Sequence, residues 1–142
     1  MTHADGNRIF RILAIEDNMA DVSLLRLALE SASVDCELRV LEDGAEGLAF
    51  VGQEGRYAGL PIPDLVVLDV NLPKKDGLEV LEAMRASHLF AEVMVVVLSS
   101  SSWPRERDRM HQFGIARFIA KPPDLEEYLK IGFILKELLA GC

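Results

Sequence analysis

The sequence predicts an α/β fold, a three-layer sandwich with a five-stranded parallel sheet between two layers of helices. Three observations predict it. Short apolar runs alternate five times with amphipathic helical patterns, as repeated βα units do. The run Leu65–Leu68 is continuously apolar, as a central strand buried on both faces must be. Right-handed crossovers between parallel strands then place helices on both sides of the sheet.

The elements follow in order. The first strand is Phe10–Ile15, which stops at Glu16-Asp17-Asn18. A helix from about Ala20 to Ser31 carries Val22, Leu25, Ala28 and Leu29 at helical spacing. The second strand, Cys36–Leu41, alternates nearly with period two, which suits a half-exposed edge. Asp43-Gly44 opens a helix from about Ala45 to Gln53, with Leu48, Ala49 and Val51 apolar. The next stretch, GQEGRYAGLPIPD, holds three Gly and two Pro and reads as a loop, long for a compact domain. After the third strand comes a helix from about Gly77 to Ser87, with Leu78, Val80, Leu81 and Met84 apolar. The fourth strand, Val93–Leu98, ends at Ser99–Ser102. The fourth helix starts near Pro104, a residue suited to a first helical turn, and ends at Gly114. Only Met110, Phe113 and Trp103 are available to anchor it, which predicts weak packing and mobility. The fifth strand is Ala116–Ala120. The last helix opens at Asp124, where Asp124 and Glu127 have capping-box spacing, and runs to about Leu139.

The chain has 142 residues, enough for one domain, which we place at residues 9–142 behind a polar lead-in at 1–8. Its formal net charge of −8 argues against nucleic acid and anionic membrane surfaces as partners. No apolar stretch approaches the roughly 20 residues that cross a bilayer. The N-terminus lacks the apolar run of a signal peptide. Cys36 and Cys142 have no metal-ligand spacing, and a reducing cytoplasm is the expected compartment.

Sites in open α/β sheets form at the carboxyl ends of strands. Here those ends carry Glu16 and Asp17, then Asp69, then Ser99, then Lys121. If the four strands are neighbours, three carboxylates, a hydroxyl and an ammonium converge. Crowded carboxylates favour an oxygen-preferring cation such as Mg²⁺. A carboxylate can also attack phosphorus to give an aspartyl phosphate. Metal and Lys121 would offset charge on the phosphoryl oxygens, and Ser99 would donate a hydrogen bond to one of them. Singly, each of these residues is most simply a solvated surface group or a cap. The ordered set is the signal.

The segments IEDN, LDVNLPKKDG, VVLSS and AKPP resemble the motifs of response-regulator receiver domains, over about residues 10–139. The long loop before the third strand is similar to that of single-domain regulators paired with phytochrome-type histidine kinases. The resemblance implies a flavodoxin-like fold with strand order 2-1-3-4-5. It implies that Asp69 is the phosphoacceptor in a two-component phosphorelay, fed by a histidine kinase. It implies Mg²⁺ held by Asp17 and Asp69, by Glu16 through water, and by the backbone carbonyl of Asn71. Ser99 and Lys121 would meet the phosphoryl group, and the Lys121–Pro122 bond would be cis. Pro73 and Gly77 would shape the loop after Asp69. Two departures stand out: Glu16 replaces the frequent first aspartate, and Phe118 replaces the frequent tyrosine at the switch position of the fifth strand.

No DNA-binding helix pair follows residue 139, so output is expected through protein contacts or onward phosphotransfer. The last helix is apolar over more than one stripe, from Leu125 to Leu139. This predicts either deep packing or a homodimer through helix four, strand five and helix five. Two other readings compete: a phosphatase with an aspartyl nucleophile, and a binding module that is never phosphorylated. Against the first, the position two residues after Asp69 is Asn71 rather than an acid. Against the second stands the complete acidic set.

Overall fold

The computed structural model describes residues 8–70, 76–100 and 104–141. Asn71, Pro73, Trp103 and Cys142 lie outside them, as does nearly all of the lead-in. Five strands form one sheet in the order β2-β1-β3-β4-β5: β1 Phe10–Ile15, β2 Cys36–Leu41, β3 Leu65–Asp69, β4 Met94–Ser99 and β5 Arg117–Ala120. Every pairing is parallel. Five helices connect and follow them: α1 Met19–Ser31, α2 Gly44–Val51, α3 Gly77–Ala86, α4 Pro104–His111 and α5 Leu125–Ala140. Order and alternation are those expected from the sequence, with β1 and β2 as expected and the other elements' boundaries within three residues.

Strand residues point alternately to the two faces, and each face has its own core. Leu13, Ile15, Val66, Leu68, Val95 and Val97 pack with Phe50, Val80, Leu81, Met84 and Met110 from α2, α3 and α4. Ile12, Ala14, Leu65, Val67, Val96 and Leu98 pack with residues of α1 and α5, among them Leu25, Leu29, Tyr128, Ile131 and Leu135. β2 is an edge strand, with Glu37 and Arg39 exposed and Cys36, Leu38 and Val40 half-buried.

Four helices start from a side-chain cap that satisfies a free backbone N–H. Asn18 accepts from Ala20 and Asp21, Asp43 from Glu46, Asp76 from Glu79, and Asp124 from Glu127. The expected capping box at α5 is only half made, because the Glu127 carboxylate pairs with Lys130 Nζ at 2.8 Å instead. α4 stops at His111, three residues short of Gly114.

The segment after α2 is more ordered than its Gly and Pro content suggests. It contains a 3-10 turn at Gly55–Tyr57 that drives the Tyr57 ring into the core, 5.4 Å from the Phe50 ring centroid. The Tyr57 hydroxyl donates to Glu46 Oε1 at 2.7 Å, and the Arg56 guanidinium pairs with the same carboxylate.

Candidate functional site

Sheet register brings the strand-end residues together. Ile15 pairs with Leu68, so Glu16 follows β1 beside Asp69. Asp69 pairs with Leu98, and Ser99 pairs with Ala120, so Ser99 and Lys121 continue the row. Glu16, Asp69 and Ser99 are buried, with Ser99 wholly enclosed, while Asp17 is exposed. Gly77, at the start of α3, stands against the Asp69 carbonyl: a Cβ there would lie 2.7 Å from that oxygen.

One carboxylate oxygen each from Glu16, Asp17 and Asp69 lies within 4.8 Å of the others. Opposite them Lys121 Nζ donates to Glu16 Oε1 at 2.9 Å and stands 3.6 Å from Asp69 Oδ2. The second Glu16 oxygen accepts from the Asn18 backbone N–H at 3.2 Å. Burial and hydrogen bonding to Asp69 push Glu16 up to about 7, against the opposing pull of Lys121. Burial alone would lower the Lys121 pKa, but hydrogen bonds to Asp21 and Glu16 and the Asp69 charge outweigh it and raise it above the ordinary lysine range. A proton shared between crowded carboxylates is what a small divalent cation replaces, and three converging hard oxygens suit magnesium. The donor set therefore fits the expected metal.

Two neighbours of this row carry no signal in the sequence. Asp21, in the first turn of α1, accepts a hydrogen bond from Lys121 Nζ at 2.8 Å. It is 100 residues away in sequence, and only the packing of α1 against α5 reveals it. Glu106, in the first turn of α4, accepts from the Ser99 hydroxyl at 3.3 Å.

One expectation is corrected. No peptide bond among the described residues is cis, so Lys121–Pro122 is trans. The trans form is intrinsically favoured by about 0.5–1 kcal/mol in X–Pro bonds. The four-carbon lysine stem already brings the ammonium to Glu16, Asp21 and Asp69 without the bend. Asn71, expected to add a carbonyl ligand, lies outside the described residues. Phe118 is half-buried, with the Arg107 guanidinium 5.4 Å from its ring centroid.

Comparison with known proteins adds to this geometry. The family model described as "Response regulator receiver domain" matches residues 12–131. Response regulator Rcp1 of Synechocystis sp. (strain ATCC 27184 / PCC 6803 / Kazusa) is 35% identical over 120 residues, covering 84% of this chain and 82% of Rcp1. Among solved structures, the phosphorylated cyanobacterial phytochrome response regulator RcpA superposes with a TM-score of 0.87 at 34% identity, covering 94% of this chain and 95% of RcpA. The Mn²⁺-bound form of Rcp1 superposes with a TM-score of 0.85 at 34% identity, covering 92% and 94%.

Proposed function

Because the chain belongs to the response regulator receiver domain family, and so to two-component signalling, we propose that Asp69 is its phosphoacceptor and that a histidine kinase is its donor. One observation carries this reading. Asp69 is buried at the centre of the row, flanked by two more carboxylates and by an ammonium 3.6 Å away. An Asp69 oxygen would bond to phosphorus as the bond from phosphorus to the kinase imidazole nitrogen breaks, and the imidazole would leave with the electron pair. Lys121 offers an N–H, and Ser99 an O–H, to phosphoryl oxygens around that centre.

Mg²⁺ would be held by Asp17 and Asp69, with Glu16 beside them and the Asn71 carbonyl completing the set. When bound it would neutralise charge on the oxygens of the transferring group. The Mn²⁺-bound relative supports this. The chain acts as a stoichiometric acceptor rather than a turnover enzyme, a reading supported by Asn71 at the position where a phosphatase would need an acid. Among the described residues no helix is long and apolar enough to cross a membrane; the cytoplasmic role we propose rests on membership of the receiver-domain family. The phytochrome-associated relatives favour a phytochrome-type kinase as partner.

Output through a homodimer is supported by α5. Tyr128, Ile131, Leu135 and Leu139 pack inward, yet Leu125 and Phe133 remain about half exposed on the outer side. Sedimentation with and without beryllofluoride should show dimers at micromolar concentration; a monomer in both conditions rules the dimer out.

The acceptor role is tested by phosphotransfer from a labelled histidine kinase. Wild type should take the label and Asp69→Asn should not. Equal labelling of both would remove Asp69 from the role.

A further inference from the structure

Lys121 is also held by a carboxylate outside the set suited to metal. Asp21 Oδ2 accepts from Lys121 Nζ at 2.8 Å, slightly closer than Glu16 Oε1 at 2.9 Å. Solvent reaches little of this pair, whose side chains are 21% and 13% exposed. The backbone of Asp21 is anchored on both sides. Its N–H donates to Asn18 Oδ1 at 3.2 Å, and its carbonyl accepts from the buried Tyr128 hydroxyl of α5 at 3.4 Å.

We propose that Asp21 is a positioning residue for phosphoryl acceptance: with Glu16 it engages two of the three ammonium donors of Lys121 and leaves the third for the group arriving on Asp69. The inference rests on Asp69 being the acceptor. An ammonium has three donors in a tetrahedral arrangement. Two are taken at hydrogen-bonding distance, and Asp69 Oδ2 lies beyond that distance at 3.6 Å. That gap keeps the lysine from capping the nucleophilic oxygen. It also leaves Nζ close to where an oxygen borne by Asp69 would lie. Without the Asp21 charge, the pull of Asp69 would draw the ammonium onto the attacking carboxylate, where a charge-assisted hydrogen bond would weaken it as a nucleophile. Because Asp21 lies outside the cluster of Glu16, Asp17 and Asp69, its hold on Lys121 does not compete with cation binding.

The test measures the rate of phosphorylation by acetyl phosphate at saturating Mg²⁺, over a range of donor concentrations. Asp21→Asn keeps the side-chain shape and removes the charge. We expect its maximal rate to fall roughly tenfold, the low end of what losing an outer partner that orients a working group costs. The half-saturating donor concentration and the Mg²⁺ affinity by calorimetry should stay at wild-type values. Asp21→Glu should restore part of the rate. In a Lys121→Met background, adding Asp21→Asn should cost nothing further. In metal-free protein, the hydrogen-bonded ammonium of Lys121 should give an NMR signal that Asp21→Asn shifts, as its protons move from Asp21 towards Asp69.

A wild-type maximal rate in Asp21→Asn overturns the inference. So does a loss residing wholly in Mg²⁺ affinity, or the same fractional loss in the Lys121→Met background. A wild-type protein that takes up no phosphate overturns the acceptor role of Asp69 as well, which distinguishes the two failures.

Discussion

Lys121 sits among Asp21, Glu16 and Asp69, at 2.8, 2.9 and 3.6 Å. Removing it takes away the counter-charge of two buried carboxylates together with the donor we propose for the phosphoryl group. Lys121→Met should slow phosphate uptake from acetyl phosphate by about 100-fold, the scale of losing one donor aimed at developing charge. A time course of acylphosphate formation checks this, and an unchanged rate would remove Lys121 from the chemistry. At this scale much of the site was legible. Glu16, Asp69, Ser99 and Lys121 each end or directly follow an apolar run, so reading where the runs stop finds them. Asp21 and Glu106 were not legible, because they lie in the first turns of helices and meet Lys121 and Ser99 only once those helices have packed. The isomer at Pro122 was not legible either, since the intrinsic bias between X–Pro isomers is small and surrounding structure decides it.

Among the elements, the contact of α1 with α5 depends on one missing side chain. A Cβ at Gly132 would lie 2.0 Å from the Ala28 carbonyl oxygen, and that neighbour is helix backbone rather than a flexible side chain. Gly132→Ala should therefore destabilise the protein by about 3 kcal/mol despite the better helix propensity of alanine. Urea unfolding measures this, and a stabilised variant would contradict the close approach. Arg85, in the last turn of α3, ties together the loops at the opposite end of the sheet. Its guanidinium donates to the carbonyls of Phe113, Phe90, Ala91, Val93 and Gly114. Arg85→Met should cost about 3 kcal/mol, because charged hydrogen bonds are lost and carbonyls are left unsatisfied. Unfolding should show that loss while phosphorylation in the folded protein proceeds at its usual rate. Neither Arg85 nor Tyr57 announced itself in the sequence. A guanidinium ending a helix and a tyrosine inside a Gly- and Pro-rich stretch both read as surface groups until the loops around them are placed.

For the whole molecule, the strand order decides the site. Only with β1, β3, β4 and β5 adjacent do four separate strand ends form one acidic row with a lysine. Alternation with right-handed crossovers predicts the layers, whereas the order of the strands was legible only through the resemblance to receiver domains. Asp17, Asp69 and Glu16 crowd together in the folded chain alone, so a divalent cation should bind the native state and stabilise it. At a hundredfold excess over its dissociation constant, Mg²⁺ should add about 2.7 kcal/mol. Thermal unfolding with and without Mg²⁺ reads this, and Asp69→Asn should blunt the gain. The central claim is tested most directly by mapping the modified residue. The protein is treated with acetyl phosphate and Mg²⁺, reduced with borohydride so that an aspartyl phosphate becomes homoserine, and sequenced by mass spectrometry. Homoserine at position 69 and nowhere else is the expected result. Homoserine at another acidic position, or none while phosphate is bound elsewhere, would contradict it.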